Sequence, residues 1–222
     1  KTRYCVNCEE AKTDSELVND CCPLHPNAKL ELIDEENYFF KFSKYQQPLL
    51  DLYKTHTDFV VPDFRFNEIR LFVEHGLQDF SISRLKEKMP WGIPVPGDAS
   101  HVMYVWFDAL VNYISTLGWP EDEENFRKFW GTPEQPNALQ FGGKDNLRQQ
   151  AAMWQAMLMS AGLPNSKQIL IQGFVTSVGQ KMSKSLGNVV KPDDVLAHFN
   201  GNPDPLRFYL SSEVPVGNDG KS

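Results

Sequence analysis

All four cysteines of the chain lie within its first 22 residues, at Cys5, Cys8, Cys21 and Cys22, and His25 follows. No other feature limits so sharply what this end of the chain can fold into. Cys5-Val-Asn-Cys8 and Cys22-Pro-Leu-His25 form C-x-x-C and C-x-x-H half-sites, with thirteen residues between them. Each short loop offers two ligands, and folding brings the two loops around one tetrahedral ion. Thiolate and imidazole together suit Zn²⁺. Adjacent residues of an extended segment point opposite ways, so Cys21 and Cys22 should not both reach one metal. The spacing to His25 and the proline after Cys22 favour Cys22. Four protein ligands leave no open position for water, which makes the expected site structural. Two disulfides, free thiols and a redox C-x-x-C are the alternatives. Disulfides belong to small secreted domains, whereas residues 23–222 contain no cysteine and read as a cytosolic enzyme. The expected compartment is therefore the cytoplasm.

The 222 residues suffice for one large domain or two small ones, and 41% hydrophobic with 23% charged residues is ordinary globular composition. No stretch approaches the roughly 20 apolar residues of a membrane span, so no membrane partner is expected. The N-terminus carries no apolar signal-peptide core, lacks an initiator methionine and starts almost on a cysteine. The chain is expected to be an internal piece of a longer protein. A net charge of −7 disfavours a dedicated nucleic-acid binder, which would ordinarily be basic. Any RNA contact must use a local patch or another part of the protein.

Apolar spacing predicts helices over 46–56 and 67–74, the second stopped by Gly76. Trp91-Gly-Ile-Pro-Val-Pro-Gly-Asp98 holds two prolines and two glycines, and reads as an irregular connection between subdomains. A β-prone stretch, 102–106, leads into a helical pattern over 108–117. Strand ends are expected at 139–143 and 168–171, with a helix between them capped by Asp145 and running to about residue 161. Helices are expected again at 192–199 and 205–210. Strand, helix, strand, helix, strand is the order of a parallel α/β sheet, whose ligands bind beyond the carboxyl ends of the strands. Three segments should meet at that rim: the turn at Trp106, the Gly142-Gly-Lys-Asp145 turn, and the loop bearing Lys181 and Lys184.

That loop reads Lys181-Met-Ser-Lys-Ser185, followed by Leu186-Gly-Asn188. Two lysines three apart, among small hydroxyls and beside a glycine, make a cationic loop able to close over a polyphosphate. Lysine is a compact charge with three donors, suited to a leaving pyrophosphate whose charge grows in the transition state. A bare K-x-x-K would more simply be a solvated basic surface loop. The full string resembles the signature loop of class I aminoacyl-tRNA synthetases. Seven further strings follow the same family from one end of the chain to the other: Tyr4-Cys-Val-Asn-Cys8, Cys22-Pro-Leu-His25, Glu36-Asn-Tyr-Phe-Phe40, Asp79-Phe-Ser-Ile-Ser-Arg84, Trp91-Gly-Ile-Pro-Val-Pro96, Tyr104-Val-Trp-Phe-Asp-Ala109 and Gly143-Lys-Asp145. Together they resemble the middle of the methionyl-tRNA synthetases of the bacterial type with one zinc knuckle.

The resemblance implies an α/β fold: the second half of a Rossmann-type class I synthetase catalytic domain, preceded by a zinc-knuckle connective subdomain. It divides the chain into the knuckle subdomain at 1–97, the catalytic half with the signature loop at 98–200, and the start of a stem-contact region at 201–222. It implies activation of methionine by ATP to methionyl-adenylate, then transfer to tRNA(Met), with Mg²⁺ accompanying the ATP. Lys181 and Lys184 would be catalytic and hold the triphosphate, with Met182 beside them; Gly143 and Asp145 would lie near the ribose. Trp106, Ala109 and Tyr113 would wall the methionine side-chain pocket, with Asn146 and Gln150 near it. An aromatic, small, aromatic pocket suits a thin polarizable thioether; on residue types alone, core packing explains these three equally well.

The chain departs from the family at several places. Gln150 and Gln172 stand where the family often has histidine, and neither titrates near neutral pH. Asn146 stands where an apolar residue is common. The five histidines (His25, His56, His75, His101, His198) include no H-x-G-H spacing of the kind the family uses on ATP. By resemblance, the N-terminal catalytic half and the C-terminal anticodon-binding domain are partners outside this chain, and the piece alone would be inactive. Two other functions remain compatible with the residues: another class I synthetase, for leucine, isoleucine, valine or cysteine, or a non-catalytic zinc-knuckle module binding RNA or protein.

Overall fold

The computed structural model describes residues 2–7, 10–12, 17–23, 25–33, 36–177, 180–182 and 187–220. The chain forms two compact units, one of residues 1–40 with 81–105, the other of 41–80 with 106–222. Residues 41–80 thus cluster with the second unit.

The first unit is built on two antiparallel sheets. In one, Thr2–Cys5 is flanked by Glu10–Lys12 and Glu31–Ile33. In the other, Asp98–Met103 is flanked by Ser83–Leu85 and Pro94–Val95. The prolines of Trp91–Asp98 therefore do not make a connection between subdomains: Pro94 and Val95 pair with the next strand, and Gly97 turns the chain at φ +81°. That positive φ is one glycine adopts at little cost. A polar cluster ties the sheet to the segment before it. His101 Nδ1 donates to Asp98 Oδ2 at 2.9 Å and its Nε2 to the Glu36 carbonyl at 2.8 Å. Tyr38 also donates to Asp98, at 3.0 Å.

The second unit holds the expected parallel sheet, with one member exchanged. Leu139–Gly143 pairs with Gln168–Gln172 in parallel, Gly143 opposite Gln172, and Gln168–Gln172 pairs in parallel with Val60–Val61. The β-prone stretch before Trp106 belongs instead to the antiparallel sheet of the first unit. Helices Gln46–Thr55 and Asp63–Glu74 lie around the Val60–Val61 strand in sequence, and Trp154–Ser160 lies on the crossover between the two longer parallel strands. Leu49, Tyr53, Phe59, Ile69, Leu147, Trp154, Leu158, Ile169 and Ile171 make its core, all at most 2% exposed. The edge strand of this sheet leaves Leu139 and Phe141 half to three-quarters exposed (52% and 72%), although parallel sheets are ordinarily covered on both faces. Glu123–Trp130, Pro192–His198 and Asp204–Glu213 are further helices. No helix of the described residues is long and apolar enough to cross a membrane.

Candidate functional site

The parallel register puts the carboxyl ends of Leu139–Gly143 and Gln168–Gln172 side by side, so the segments after them leave from one edge. After Gly143 the chain makes a 3₁₀ turn at Lys144–Asn146, then a π-helical stretch at Gln149–Met153, and only then a regular α-helix at Trp154–Ser160. Asp145 lies inside the first turn rather than capping one long helix. A Cβ on Gly143 would come within 2.7 Å of Asp145 Oδ1, so a larger residue there would push the Asp145 carboxylate aside.

A π-helical stretch draws its hydrogen bonds out of the i→i+4 pattern and leaves carbonyls to be satisfied by other groups. Here two buried side chains supply the donors. Gln155 Nε2 donates to the Gln150 carbonyl at 3.0 Å, and Tyr53 Oη to the Ala151 carbonyl at 2.7 Å. The extra residue turns Gln150 inward, where its Nε2 donates to Tyr113 Oη at 2.7 Å. Its Oε1 accepts from Gln140 Nε2 at 3.1 Å. Tyr113 also packs near Trp154, ring centroids 6.1 Å apart.

Tyr113 follows Trp106 and Ala109 on a helical run that is broken in two, Val105–Ala109 and Asn112–Ser115. The Asn112 side chain donates to the Ala109 carbonyl, competing with the backbone as asparagine commonly does within helices. Trp106, Ala109 and Tyr113 are each half-buried, as a wall with one open side would be.

Residues after Gln172 run along the C-terminal segment. A Cβ on Gly173 would collide with the Asn218 carbonyl, 1.9 Å away, so only glycine permits this approach. Asp219 accepts from the Phe174 N–H at 3.0 Å and pairs with Lys144 at 2.8 Å. The Lys144 ammonium beside it, with the Phe174 N–H, holds the Asp219 carboxyl below the ordinary carboxylate range. The Gly220 N–H donates to the Phe174 carbonyl at 2.8 Å. This lacing fixes the start of a hairpin in which Thr176 pairs with Lys181. Met182 Sδ accepts from the Val190 N–H at 3.5 Å. Lys184 lies outside the described residues, and of Lys181 only the backbone is described.

In the first unit, Cys5, Cys22 and His25 bring their ligand atoms within 4.8 Å of one another, with both cysteines buried. Cys5 Sγ is 3.8 Å and Cys22 Sγ 3.9 Å from His25 Nδ1. A tetrahedral zinc with ordinary bond lengths separates its sulfur and nitrogen ligands by about 3.5 Å, and both sulfur–nitrogen separations here lie within a few tenths of an ångström of that. Cys21 is half-buried and outside this group; Cys8 lies outside the described residues.

Residues 1–221 match the family of tRNA synthetases class I (M). The chain belongs to that family. Among curated synthetases, the methionine–tRNA ligase of Thermosynechococcus vestitus is 50% identical over 221 residues, covering 98% of this chain and 40% of that protein. The methionine–tRNA ligase of Thermotoga maritima is 43% identical over 221 residues, covering 98% and 34%. A solved structure of Mycobacterium tuberculosis methionyl-tRNA synthetase in complex with methionyl-adenylate is 39% identical, the match covering 100% of this chain and 42% of that one, with a TM-score of 0.87. The fold is accordingly that of a class I synthetase catalytic domain, here with mixed α/β sheets. The chain spans about two-fifths of the length of the relatives it matches.

Sequence reasoning missed Gln140 and Gln155, which bond Gln150, Ser166, which links those two, and Tyr53 and Asp219, which brace the segments on either side. Isolated glutamines and serines carry no spacing signal, so their partnership is visible only once the strands are paired.

Proposed function

We propose that this chain is the signature-loop part of a methionine–tRNA ligase, which activates methionine with ATP and transfers it to tRNA(Met). The observation that carries this is the likeness, over the whole chain, to a synthetase structure holding methionyl-adenylate. The Tyr113–Gln150 contact supports it, since it joins two residues separately assigned to the methionine pocket. Trp106, Ala109 and Tyr113 would wall that pocket, with Gln150 and Asn146 beside it. Gly143 and Asp145 would meet the ribose; Lys181, Met182 and Lys184 would meet the triphosphate and its Mg²⁺. Residues 98–200 would form the second half of the Rossmann domain, residues 1–97 the knuckle subdomain, and 201–222 the start of the stem-contact region. The exposed Leu139 and Phe141 suit a face covered by the N-terminal catalytic half; the anticodon would be read by a further domain. Zinc held by Cys5, Cys8, Cys22 and His25 would act structurally, tying two loops that share little apolar core. Cysteines that hold a metal ion suit a reducing compartment, and we assign the protein to the cytoplasm.

At the start of reaction the lysines meet a triphosphate whose charge is shared over three groups. As the adenylate forms, negative charge collects on the departing pyrophosphate, and a lysine aimed there stabilises the transition state more than the ground state. In the whole protein, pyrophosphate exchange should depend on methionine and should not run on leucine, isoleucine, valine or cysteine. Lys184→Ala should slow adenylate formation by roughly a hundredfold, with methionine affinity little changed. Exchange driven by another amino acid, or a normal rate with only a raised methionine KM, would refute these assignments.

A further inference from the structure

Behind Tyr113 lies a buried chain of polar side chains whose hydrogen-bond direction is fixed from one end. Gln155, Ser166, Gln140 and Gln150 are 0%, 3%, 5% and 5% exposed. Two backbone groups set the orientation of Gln155. The Ser166 N–H can only donate, and Gln155 Oε1 accepts from it at 3.1 Å. The Gln150 carbonyl can only accept, and Gln155 Nε2 donates to it at 3.0 Å. With that amide fixed, its Nε2 also donates to Ser166 Oγ at 3.1 Å. The Ser166 hydroxyl has one proton to place and sends it to Gln140 Oε1; accepting a second donor from Gln140 instead would leave that buried proton unpaired. Gln140 Nε2 must then face Gln150 Oε1, 3.1 Å away, and Gln150 Nε2 must face Tyr113 Oη, 2.7 Å away. Reversing any one amide would set two acceptors or two donors against each other in a buried site, which costs about 1–3 kcal/mol per unsatisfied group.

The last link is the informative one. Tyr113 Oη accepts from Gln150, so its single proton is left for the open side of the half-buried ring. We propose that Ser166, Gln140 and Gln155 are positioning residues that act through Gln150 to commit the Tyr113 hydroxyl to donating into the pocket. The pocket thereby distinguishes a side chain carrying a weak acceptor, such as a thioether sulfur, from an alkyl chain of the same length. The inference rests on the methionine reading of the site. A neutral imidazole in place of Gln150 would exchange its donor and acceptor roles with tautomer and charge. An amide cannot, so the selectivity set by this chain of contacts is insensitive to pH between about 6 and 8.

The test is the ratio of kcat/KM for methionine over norleucine in ATP–pyrophosphate exchange by the whole protein. Norleucine replaces the sulfur with a methylene and offers no acceptor. Ser166→Ala removes the donor to Gln140. Gln140→Glu presents an acceptor to Gln150, turning its amide over so that Tyr113 must donate inward. Each should lower the methionine-to-norleucine ratio about fivefold to tenfold, the worth of one such hydrogen bond, while the ATP KM stays within about twofold. Tyr113→Phe should lower the ratio alike, and Ser166→Ala added to Tyr113→Phe should lower it no further. Gln140→Glu is an independent test of the same link should Ser166→Ala fail to fold. A wild-type ratio in either folded variant overturns the proposal, as does an equal effect of Ser166→Ala with and without the Tyr113 hydroxyl. No methionine-dependent exchange in the unsubstituted protein overturns the methionine reading and this inference with it; exchange with an unmoved ratio overturns this inference alone.

Discussion

Tyr53→Phe is the cleanest probe of the π-helical stretch. The ring of Tyr53 packs against Phe59 and Phe66, at centroid distances of 5.9 and 5.7 Å, and phenylalanine keeps those contacts. What is lost is one oxygen, donating to the Ala151 carbonyl at 2.7 Å in a fully buried setting. The buried Ala151 carbonyl loses this donor. The cost is that of a hydrogen bond removed with its buried acceptor left unsatisfied, about 1–3 kcal/mol. Because the whole protein is far larger than this chain, the local readout is amide hydrogen exchange over residues 149–160. A loss of about 2 kcal/mol there raises the exchange rate of amides that open with this segment roughly thirtyfold. The phenol adds a pH signature. Burial raises its pKa well above the ordinary value of 10.0. A group with a raised folded pKa contributes stability that is fully present below its unfolded pKa and lost as pH rises through the folded one. The wild-type segment should therefore lose protection above about pH 10, and Tyr53→Phe should remove that part of the alkaline loss. Unchanged protection over 149–160 at neutral pH would show that Ala151 finds another donor, and the bracing role of Tyr53 would fall.

Elemental analysis should find one zinc per chain; Cys22→Ser should lose it and Cys21→Ser keep it, and equal loss from both would sink the ligand choice. Ala109→Leu in the whole protein should raise the methionine KM strongly, with the ATP KM nearly unchanged, because the added bulk enters the pocket wall; equal damage to both would remove this helix from the pocket. The His101 imidazole has acceptors at both nitrogens, the Glu36 carbonyl and the Asp98 carboxylate, and these raise its pKa above the ordinary 6.5. Its contribution to stability is fully present below that value and fades as pH rises through the folded pKa, whereas the contribution of Asp98, whose pKa is lowered chiefly by its hydrogen bonds from Ser100, is present above its ordinary value of 3.8 and fades as pH falls below it. An NMR titration of His101 should give a pKa above 6.5 that falls in Asp98→Asn; no response to that substitution would refute the pairing.

Long periodic segments were the legible ones. Gln46–Thr55 follows its leucines and tyrosine, and Gln168–Gln172 is a short apolar run between polar residues. Val60–Val61 escaped notice because two residues carry no period, yet they complete the parallel sheet. Val102 and its neighbours have the composition of a buried strand, but composition does not name a partner, and they pair with Ser83–Leu85 instead. At the candidate site, the residues the sequence singled out came from resemblance to a family: Trp106, Ala109, Tyr113, Gly143, Asp145, Asn146, Gln150 and the lysine loop. Gln140, Gln155 and Ser166 were not, since glutamine and serine read as surface residues until burial says otherwise. Their partners lie 10 to 26 positions apart, across the strand–helix–strand crossover.

A π-helical stretch is an α-helix that has taken in one residue more than its hydrogen bonds require. Between Gly143 and Trp154, chain length is therefore itself a specification. Deleting a single residue from Gln149–Met153 would let an unbroken α-helix form, and local helix propensity would favour it. It would also rotate the residues before the deletion by about 100° relative to those after it, swinging Gln150 away from Tyr113 while leaving the composition almost untouched. Loops elsewhere in such a fold tolerate insertions and deletions; this helix should reject them, although no residue in it is irreplaceable for helix formation.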